Sequence, residues 1–495
     1  MPLLLPILLA PLAASLLCLA LRSRRLMEWV NVLAFATALA LGVQLMFQVL
    51  ARPEHVVTAW SEFFRADALS AWMVLLISAV SLGSSLYAGR YFQRDLAAGD
   101  LTPGRVKEYF VLTPLFVTGM FLVVLANNLG VMWFALEATA LSSALLVALY
   151  NRSTSLEAAW KYVILGGLGL ALALFGTVFT YTATIGKAPS ETLPSFNWSH
   201  LMSIAGQLDP KMIKLAFVFV FVGYGTKAGL APMHTWLPDA HSEAPSPTSA
   251  MLSGVSLKVA IYALLRFHIL TTACLGSSFS RTMLVVFGLG SMCLAAPFIL
   301  VQTNLKRLLA YSSLEHVGLI CVGFGLNSPL TILGALMHMG YHALTKPVLF
   351  LAAGNIHQSC HTLQMRLIGP GLAQMLPLTV VCMGLAAVAA IGLPPFGLFF
   401  SEMTVLNGSF KAGHTGVSML VLTALLAAFC GILGQLARVL LGAPKVPRTS
   451  SVARWDGIPA MGLMLGTLLV FSVWLPAPLF ELMNRARDII IGGKQ

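Results

Sequence analysis

Residues 225–241 read GTKAGLAPMHTWLPDAH and follow the apolar run LAFVFVFVGY. The stretch places Lys227 in an otherwise apolar segment, and Gly229 and Pro232 come shortly after it. A charge inside an apolar segment costs free energy, and a proline ends or kinks the helix that contains it. The two features together predict a helix that is broken beside a buried cation.

The composition indicates a polytopic membrane protein. The chain has 495 residues, of which 58% are hydrophobic and only 10% are charged, and its mean hydropathy is +0.85. A helix needs about 20 apolar residues to cross a bilayer. Runs of this kind predict an all-α fold, a single membrane domain over 1–495, with about fourteen transmembrane helices. These are predicted at 2–21, 28–50, 67–88, 109–126, 128–149, 159–184, 212–237, 246–270, 282–301, 308–326, 330–353, 373–407, 414–441 and 458–480.

The net charge of +12 lies mainly in the segments that flank the predicted helices, for example at 22–25, 90–107 and 445–454. Such a distribution favours membrane topology over nucleic-acid binding, and the lipid bilayer is the expected partner. With fourteen helices, basic residues are modestly enriched on one side. This bias predicts a bacterial inner (cytoplasmic) membrane protein with both termini in the periplasm.

The sequence offers no evident site for a cofactor. The seven cysteines are scattered, and no CxxC motif occurs. A P-loop is missing, and no glycine fingerprint joins a strand to a helix. We therefore expect no cofactor and no metal ion in this chain.

Two sets of five predicted helices, 109–270 and 282–441, share one feature. The fourth helix of each set contains a glycine–proline break, KAGLAP in helix 7 and GLPPFG with Pro394 and Pro395 in helix 12. An odd number of helices gives two such repeats opposite orientations, and 1–88 and 458–495 flank them. Paired broken helices in inverted repeats mark the ion path of many transporters. Irregular backbone at membrane depth is tolerated only inside the protein or beside water.

Glu137 lies in the middle of predicted helix 5, where no residue of the same helix can neutralise it. Lys227 is the natural partner on another helix. A carboxylate that approaches or leaves a buried lysine changes how firmly the lysine holds its proton. The two residues therefore suggest a proton-releasing pair, and a static ion pair that fixes helix packing is the alternative.

Further ionisable residues lie inside the predicted helices. Lys258 has apolar or small neighbours on both sides, which favours a proton relay over a snorkelling lysine. His338, His342 and Lys346 are spaced four residues apart and share one helix face. Histidine suits proton exchange near neutral pH. Structural polar contacts or a metal pair are the alternatives, but no third metal ligand is evident. Glu402, after the second break, is the predicted last proton acceptor.

His234, Asp239 and His241 occupy the end of the opening stretch. They predict either a route for water and protons or simple contacts that finish the turn, and a metal site is a third reading. Lys306 and the Glu315–His316 pair are also ionisable, but the sequence assigns them no role.

The sequence resembles the proton-translocating antiporter-like subunits of respiratory complex I, multi-subunit cation/proton antiporters and membrane-bound [NiFe] hydrogenases. Four segments carry the resemblance: ALEATALSSALL (135–146), KAGLAPMHTWLPDAHSEAPSPTSAMLSGVSLKVAIYALLRF (227–267), HALTKPVLFLAAGNI (342–356) and GLPPFGLFFSEMTVL (392–406). The resemblance implies fourteen helices in two inverted repeats. It also implies functional positions at Glu137, Lys227, Lys258 and Glu402. Glutamate at the last position is similar to the complex I M-type and hydrogenase-4 F-type subunits.

The sequence and this resemblance together predict a proton-translocating subunit of a complex I-like assembly, most similar to the hydrogenase-4 or formate hydrogenlyase type. Partner membrane subunits and a peripheral redox arm would carry the [NiFe] centre and iron–sulfur clusters. The alternatives are a cation (Na⁺)/proton antiporter subunit, a complex I M- or N-type subunit, a proton-driven inorganic-carbon uptake subunit, and an inert scaffold.

Overall fold

The computed structural model describes residues 3–185, 196–368, 371–441 and 455–492. The predicted basic segment at 445–454 lies outside these residues. In the first half the helices are α1 (Leu4–Ala20), α2 (Arg24–Ala51), α3 (Ala68–Ala98), α4 (Pro103–Leu125), α5 (Leu129–Val147), α6 (Ser153–Thr182), α7 (Trp198–Ser203), α8 (Pro210–Ala228), α9 (Trp236–Glu243), α10 (Ser246–Met251) and α11 (Leu257–Leu275). The others are α12 (Ser278–Val301), α13 (Leu305–Gly325), α14 (Pro329–Cys360), α15 (Met365–Ile368), α16 (Leu372–Met375), α17 (Pro377–Ala390), α18 (Gly397–Lys411), α19 (Thr415–Leu440), α20 (Ile458–Val473) and α21 (Ala477–Ile491).

The predicted helical membrane fold is confirmed, with one small addition. A two-stranded antiparallel hairpin, β1 (Val57–Ala59) and β2 (Phe64–Ala66), lies between α2 and α3. Among the described residues, nine helices are long and apolar enough to cross a membrane, or ten if the bent pair α20–α21 forms one span. The predicted count of fourteen stays a prediction.

The helices that carry the predicted site lie in the centre of the bundle. In the segment from α10 to α11 and in helix α13, every residue of the most apolar stretch is buried. In α12 and α19, only 39% and 33% of the residues in the corresponding stretch are buried. The outer helices expose large apolar side chains, such as Leu426 and Val286, as expected of surfaces that face lipid. The central helices are thereby shielded from lipid, which lowers the cost of placing charges there.

Both predicted helix breaks are present, and they share one local design. Helix α8 ends at Gly229 with φ +77°, and α17 is followed by Gly392 with φ +66°. The amide of Leu230 donates to the Gly225 carbonyl at 2.8 Å. At the second break the amide of Leu393 makes the same kind of bond to the Val388 carbonyl, at 3.2 Å. These are Schellman caps, in which a glycine with positive φ satisfies the last carbonyls of a helix.

The chain resumes as α9 after the first break and as α18 after the second. The amide of Ala231 within the first break donates to the hydroxyl of Ser291 on α12 at 2.9 Å. Protein groups therefore satisfy this irregular backbone, as membrane depth requires. The matching glycine caps support the prediction of two inverted repeats, which stays a prediction.

A π-helical segment, Leu252–Ser256, interrupts the long span between α10 and α11. At its centre, a β-carbon on Gly254 would lie 2.9 Å from the Pro347 ring and from a Val80 methyl group, so only glycine allows this packing. Single π turns inside α-helices are frequent at functional sites because they expose backbone carbonyls. This segment directly precedes the lysine of the predicted relay.

Candidate functional site

Most of the predicted site residues are buried in the centre of the bundle. The ionisable side chains around which the clusters described below are built, together with Lys306, are each at most 5% exposed: Lys227, Lys258, Lys306, Glu315, His316, His338, His342, Lys346 and Glu402. Glu137 differs, since it is partly exposed. So many ionisable groups in one apolar interior imply a shared task, because each of them costs free energy unless it is paired or hydrated.

The first cluster surrounds Lys227 at the C-terminus of α8. Its amine donates to the hydroxyl of Tyr162 on α6, and that hydroxyl lies 2.7 Å from the hydroxyl of Ser143 on α5. The Tyr162 ring stacks on Trp236 with centroids 4.5 Å apart, and the Trp236 indole donates to the Thr226 carbonyl at 2.8 Å. The C-terminal end of a helix favours a cation, so α8 itself stabilises the lysine charge.

Glu137 does not form a direct ion pair with Lys227. Among the described residues, no cation approaches the Glu137 carboxylate within salt-bridge distance, although Lys227 acts on it electrostatically. The hydrogen-bond partner of the lysine is therefore Tyr162, a residue to which the sequence assigned no role. The proposed opening and closing of the Glu137–Lys227 pair stays a prediction.

The second cluster begins at Lys258 on α11. Its amine lies 2.7 Å from Nδ1 of His342 on α14 and donates to the carbonyls of Ser253 and Gly254 at 3.1 and 2.6 Å. Both carbonyls belong to the π-helical segment. The local departure from α-helical geometry thus supplies oxygen acceptors for a lysine that has no carboxylate beside it.

Two further histidines continue the second cluster. The ring of His316 on α13 lies 5.0 Å from the His342 ring, and its Nδ1 lies 3.0 Å from Nε2 of His338. The other nitrogen of His338 lies 2.9 Å from the hydroxyl of Ser401 on α18. Glu402, the next residue, brings a carboxylate oxygen within 4.8 Å of ligand nitrogens of both His316 and His338. Lys258 is thereby connected to Glu402 through three imidazoles.

Gly392 at the second break leaves room for the Glu402 carboxylate. A β-carbon at this glycine would lie 2.1 Å from the nearer carboxylate oxygen. The positive φ of Gly392 therefore serves two purposes, since it caps α17 and it clears the space that the buried acid occupies. Each break is consequently next to one charged residue, Lys227 at the first and Glu402 at the second.

Lys346 lies beside the histidines and does not continue their chain. Its amine donates to the hydroxyl of Ser312 at 2.5 Å. Glu315, also on α13, interacts with it electrostatically and places a carboxylate oxygen 3.6 Å from Nδ1 of His316. Lys346 and Glu315 therefore both place charge close to His316.

The three residues at the end of the opening stretch have different surroundings. Asp239 accepts from Lys161 at 3.1 Å and pairs with Arg307, so it belongs to the surface turn. His241 is fully buried and stacks on Phe350 with centroids 4.8 Å apart. Neither of its ring nitrogens has a hydrogen-bond partner among the described residues.

His234 is buried as well, and its Nδ1 has no hydrogen-bond partner in the part of the chain that the structure describes. Its ring centroid lies 6.3 Å from that of Tyr311. His234 makes no contact with either cluster that would identify it as part of a proton route, and that reading of it stays a prediction.

A polar cavity opens at one end of the bundle, beside Arg94 and Asp95 near the end of α3. It has a volume of about 460 Å³, and a smaller one of about 180 Å³ shares Tyr150, Arg152 and His357 with it. Lys306 lines the smaller cavity and donates to the Ala244 carbonyl at 2.7 Å. Both spaces are large enough for several water molecules, so water can approach the buried lysine.

Sequence reasoning missed three features. His316 lies between His342 and His338. Its position inside a predicted membrane helix was the sequence signal that could have marked it as a relay residue. Tyr162 holds Lys227, and nothing in the sequence marks it. Arg266 on α11 and Asp67 before α3 form a buried bidentate ion pair, with N–O distances of 2.6 and 2.7 Å.

Comparison with known proteins agrees with this architecture. Residues 126–427 match the family described as NADH:quinone oxidoreductase/Mrp antiporter, transmembrane. The chain is 36% identical over 484 residues to a hydrogenase-4 component F homolog of Methylacidiphilum infernorum, covering 96% of this chain and 97% of that one. The chain is thus a polytopic antiporter-like membrane protein, and it belongs to the NADH:quinone oxidoreductase/Mrp antiporter family.

Solved structures show the same fold. A chain of the archaeal membrane-bound sulfane sulfur reductase superposes with a TM-score of 0.86 at 22% identity, covering 99% of this chain and 97% of that one. A chain of the Mrp complex from Dietzia sp. DQ12-45-1b superposes with a TM-score of 0.85 at 20% identity, covering 99% of this chain and 98% of that one. At these identities the likeness concerns the fold alone.

Proposed function

We propose that this chain is the proton-translocating membrane subunit of a complex I-like oxidoreductase of the hydrogenase-4 or formate hydrogenlyase type. One observation carries the proposal. Lys258, His342, His316, His338 and Glu402 form a buried array of neighbouring ionisable groups on α11, α14, α13 and α18, with hydrogen-bond distances between Lys258 and His342 and between His316 and His338. Buried ionisable groups are costly and are not needed to hold an apolar bundle together, whereas proton transfer requires them.

The array can pass a proton stepwise. The ammonium group of Lys258 gives a proton to Nδ1 of His342 and becomes neutral, while the imidazole becomes cationic. From His342 a proton passes towards His316, either through a water molecule or by a small ring motion, and then across the 3.0 Å contact to His338. The other nitrogen of His338 faces the Ser401 hydroxyl, so the last step, over up to 4.8 Å, needs a water molecule or a side-chain motion. The Glu402 carboxylate then accepts the proton and becomes neutral. Histidine suits both intermediate steps, since each ring has one nitrogen to receive and one to release.

The first cluster would control the supply of protons. Tyr162 and the partial charge of the α8 terminus stabilise Lys227, and the charge on Glu137 acts on it from a distance. Among the described residues, no hydrogen bond joins Lys227 or Tyr162 directly to Lys258, so water would connect the two clusters. A change of charge in a neighbouring subunit would shift Glu137, alter the hold of Lys227 on its proton, and start transfer along the second cluster.

The polar cavity beside Lys306 would provide water access. With both termini in the periplasm of a bacterial inner membrane, as the basic loops predict, this cavity faces the cytoplasm. Protons would then enter past His241 and leave near Glu402 towards the periplasm. His241 is buried within electrostatic reach of Lys306 and Lys346, and neither ring nitrogen has a hydrogen-bond partner among the described residues, so its transfer role would require water.

The chain itself would carry no redox group. Partner membrane subunits and a peripheral arm would hold the [NiFe] centre and the iron–sulfur clusters, and electron transfer there would drive the charge change at Glu137. The similarity to a hydrogenase-4 component F homolog over nearly the whole length of both chains supports this assembly over a complex I M- or N-type role.

The test is proton translocation by the purified complex in vesicles, measured with a pH-sensitive dye while the redox reaction runs. Glu137→Gln and Lys227→Ala should each lower proton movement, whereas Glu108→Gln, at an exposed surface pair, should not. Unchanged proton movement in both site variants would show that the mechanism is wrong.

A cation/proton antiporter subunit is the second candidate, because the family that matches residues 126–427 also includes Mrp antiporter subunits. Vesicles without the redox partners distinguish the two. An imposed Na⁺ gradient that drives proton movement through the wild-type chain, and not through Glu402→Gln, would favour the antiporter. Proton movement that depends on redox turnover would favour the first proposal.

A further inference from the structure

The strongest unassigned feature is a set of three metal-ligand side chains inside the second cluster. His316 from α13, His338 from α14 and Glu402 from α18 each direct one ligand atom to a common point, and these atoms lie within 4.8 Å of one another. All three side chains are buried, at 1%, 0% and 5% exposure. Two imidazoles and one carboxylate are the ligand set of many zinc sites that keep an open fourth position for water.

The sequence could not reveal this set. It offered His338 and His342 as a pair on one helix and no third ligand. In the structure His342 turns to Lys258 instead, while His316 and Glu402 come to His338 from two other helices. Gly392 lies against the Glu402 carboxylate, which occupies the space that a side chain at this position would fill.

A second, independent observation points to a ligand. Glu402 is 5% exposed as a residue, and its carboxylate makes no hydrogen bond with another residue of the described part of the chain. A buried acid without a partner is costly, and a cation between it and the two imidazoles would remove that cost. Ser401 holds the second nitrogen of His338 at 2.9 Å, which is the outer contact that orients metal-binding histidines.

We propose that His316, His338 and Glu402 bind a divalent transition-metal cation, with Zn²⁺ as the best match, and that this cation blocks the proton array. The two imidazole nitrogens, 3.0 Å apart, need to separate to roughly 3.4 Å, the spacing of ligand atoms in a tetrahedral zinc site, and the Glu402 oxygen, which lies within 4.8 Å of both, needs to approach to that spacing.

The bound ion and the travelling proton exclude each other. His316 and His338 share one hydrogen across their 3.0 Å contact, and a metal ion would take its place, since both nitrogens need a free lone pair to coordinate. The block rests on the proposed proton route. The binding site itself does not depend on that route.

Binding is measured first, on the full chain in lipid nanodiscs freed of metal by chelation. Zn²⁺ is titrated against a fluorescent zinc indicator, and Co²⁺ is used as a spectroscopic probe of tetrahedral coordination. Wild type should bind one ion. His316→Gln, His338→Gln and Glu402→Gln should each weaken binding at least about 100-fold, since each removes a ligand and loss of an outer contact alone costs 10- to 100-fold.

The matched control is His268→Gln. His268 is also a fully buried histidine, and neither ring nitrogen has a hydrogen-bond partner in the described part of the chain. It lies outside both clusters, so this variant should bind Zn²⁺ like wild type. Size-exclusion profiles identify any variant that fails to fold, and Ser401→Ala then replaces it with an expected loss of about tenfold.

The two proposals fail in different ways. Wild type that binds no stoichiometric Zn²⁺, or ligand variants that bind like His268→Gln, would overturn the metal site and leave proton translocation untouched. Site-specific Zn²⁺ binding that leaves redox-driven proton movement of the complex unchanged would keep the metal site and contradict the block. Zn²⁺ that stops proton movement in wild type and in His268→Gln alike would support both.

Discussion

The side-chain amine of Lys258 on α11 lies 2.7 Å from Nδ1 of His342 on α14, and two carbonyls of a π-helical segment hold that amine in place. A lysine without a carboxylate partner is thereby bonded directly to an imidazole in the centre of a membrane bundle. This contact is the first step of the proposed array.

Lys258→Met should abolish redox-driven proton movement. Methionine retains the length and apolar stem of lysine but removes the proton donor, and loss of a positioned acid or base costs about 100-fold or more. The measurement is the initial rate of dye quenching in vesicles that contain the complex. Lys214→Met, which changes an exposed lysine on α8 that contacts the Phe279 ring, is the control. Equal rates in the two variants would exclude Lys258 from the route.

His316→Phe should stop proton movement although the sequence assigned this residue no role. Phenylalanine fills a similar volume and cannot bridge His342 to His338, so the array would be cut in its middle. Redox turnover and vesicle acidification are measured on the same preparation. The control is His268→Phe, and a His316 variant that pumps as well as this control would mean that protons bypass α13.

Tyr162→Phe should slow proton movement without abolishing it. The variant removes the hydroxyl that accepts from Lys227 but retains the ring that stacks on Trp236. A buried hydrogen bond to a charged group contributes about 1.5–3 kcal/mol, which corresponds to a change of roughly tenfold or more in proton movement. The control is Tyr109→Phe. Tyr109 is also a buried tyrosine and is distant in sequence from the residues of both clusters, so its variant should move protons at the wild-type rate.

Arg266→Leu should strongly destabilise the fold, because Asp67 would remain buried without its partner. The two side chains are 6% and 0% exposed, and removing one partner of such a pair costs about 3–5 kcal/mol. The surface variant Arg105→Leu breaks a pair whose side chains are 38% and 48% exposed, and it should cost less than about 1 kcal/mol. The midpoint of thermal unfolding in detergent reports both.

The double variant Asp67→Leu/Arg266→Leu should recover most of that loss, since it removes the fully buried carboxylate together with its guanidinium partner. A double variant that is less stable than Arg266→Leu alone would show that the pair stabilises the fold by more than mutual neutralisation.

Gly229→Ala should cost more stability than Gly99→Ala, although the two glycines have nearly the same φ, +77° and +76°. Both substitutions carry the strain of an L-residue in this conformation, about 1–2 kcal/mol. Only at Gly229 would the new β-carbon also lie 2.5 Å from a Leu237 methyl carbon, whereas nothing lies within 4 Å at Gly99. Thermal unfolding of the two variants therefore isolates the packing requirement of the first break, and equal midpoints would mean that Leu237 moves freely.

The sequence by itself determined the membrane class, both helix breaks and most of the buried ionisable residues. Each of these follows from a local property, either the apolar length needed to cross a bilayer or the backbone preferences of glycine and proline. The free-energy cost of a charge in an apolar segment marked Lys227, Lys258 and Glu402 for the same reason.

Only the tertiary structure decided which residues meet. Lys227 contacts Tyr162 instead of Glu137, His316 joins the array, and Asp67 pairs with Arg266 across 199 residues. Contacts of this kind depend on how neighbouring helices are rotated and where their breaks fall. No spacing within one helix contains that information, because the interacting side chains come from different helices.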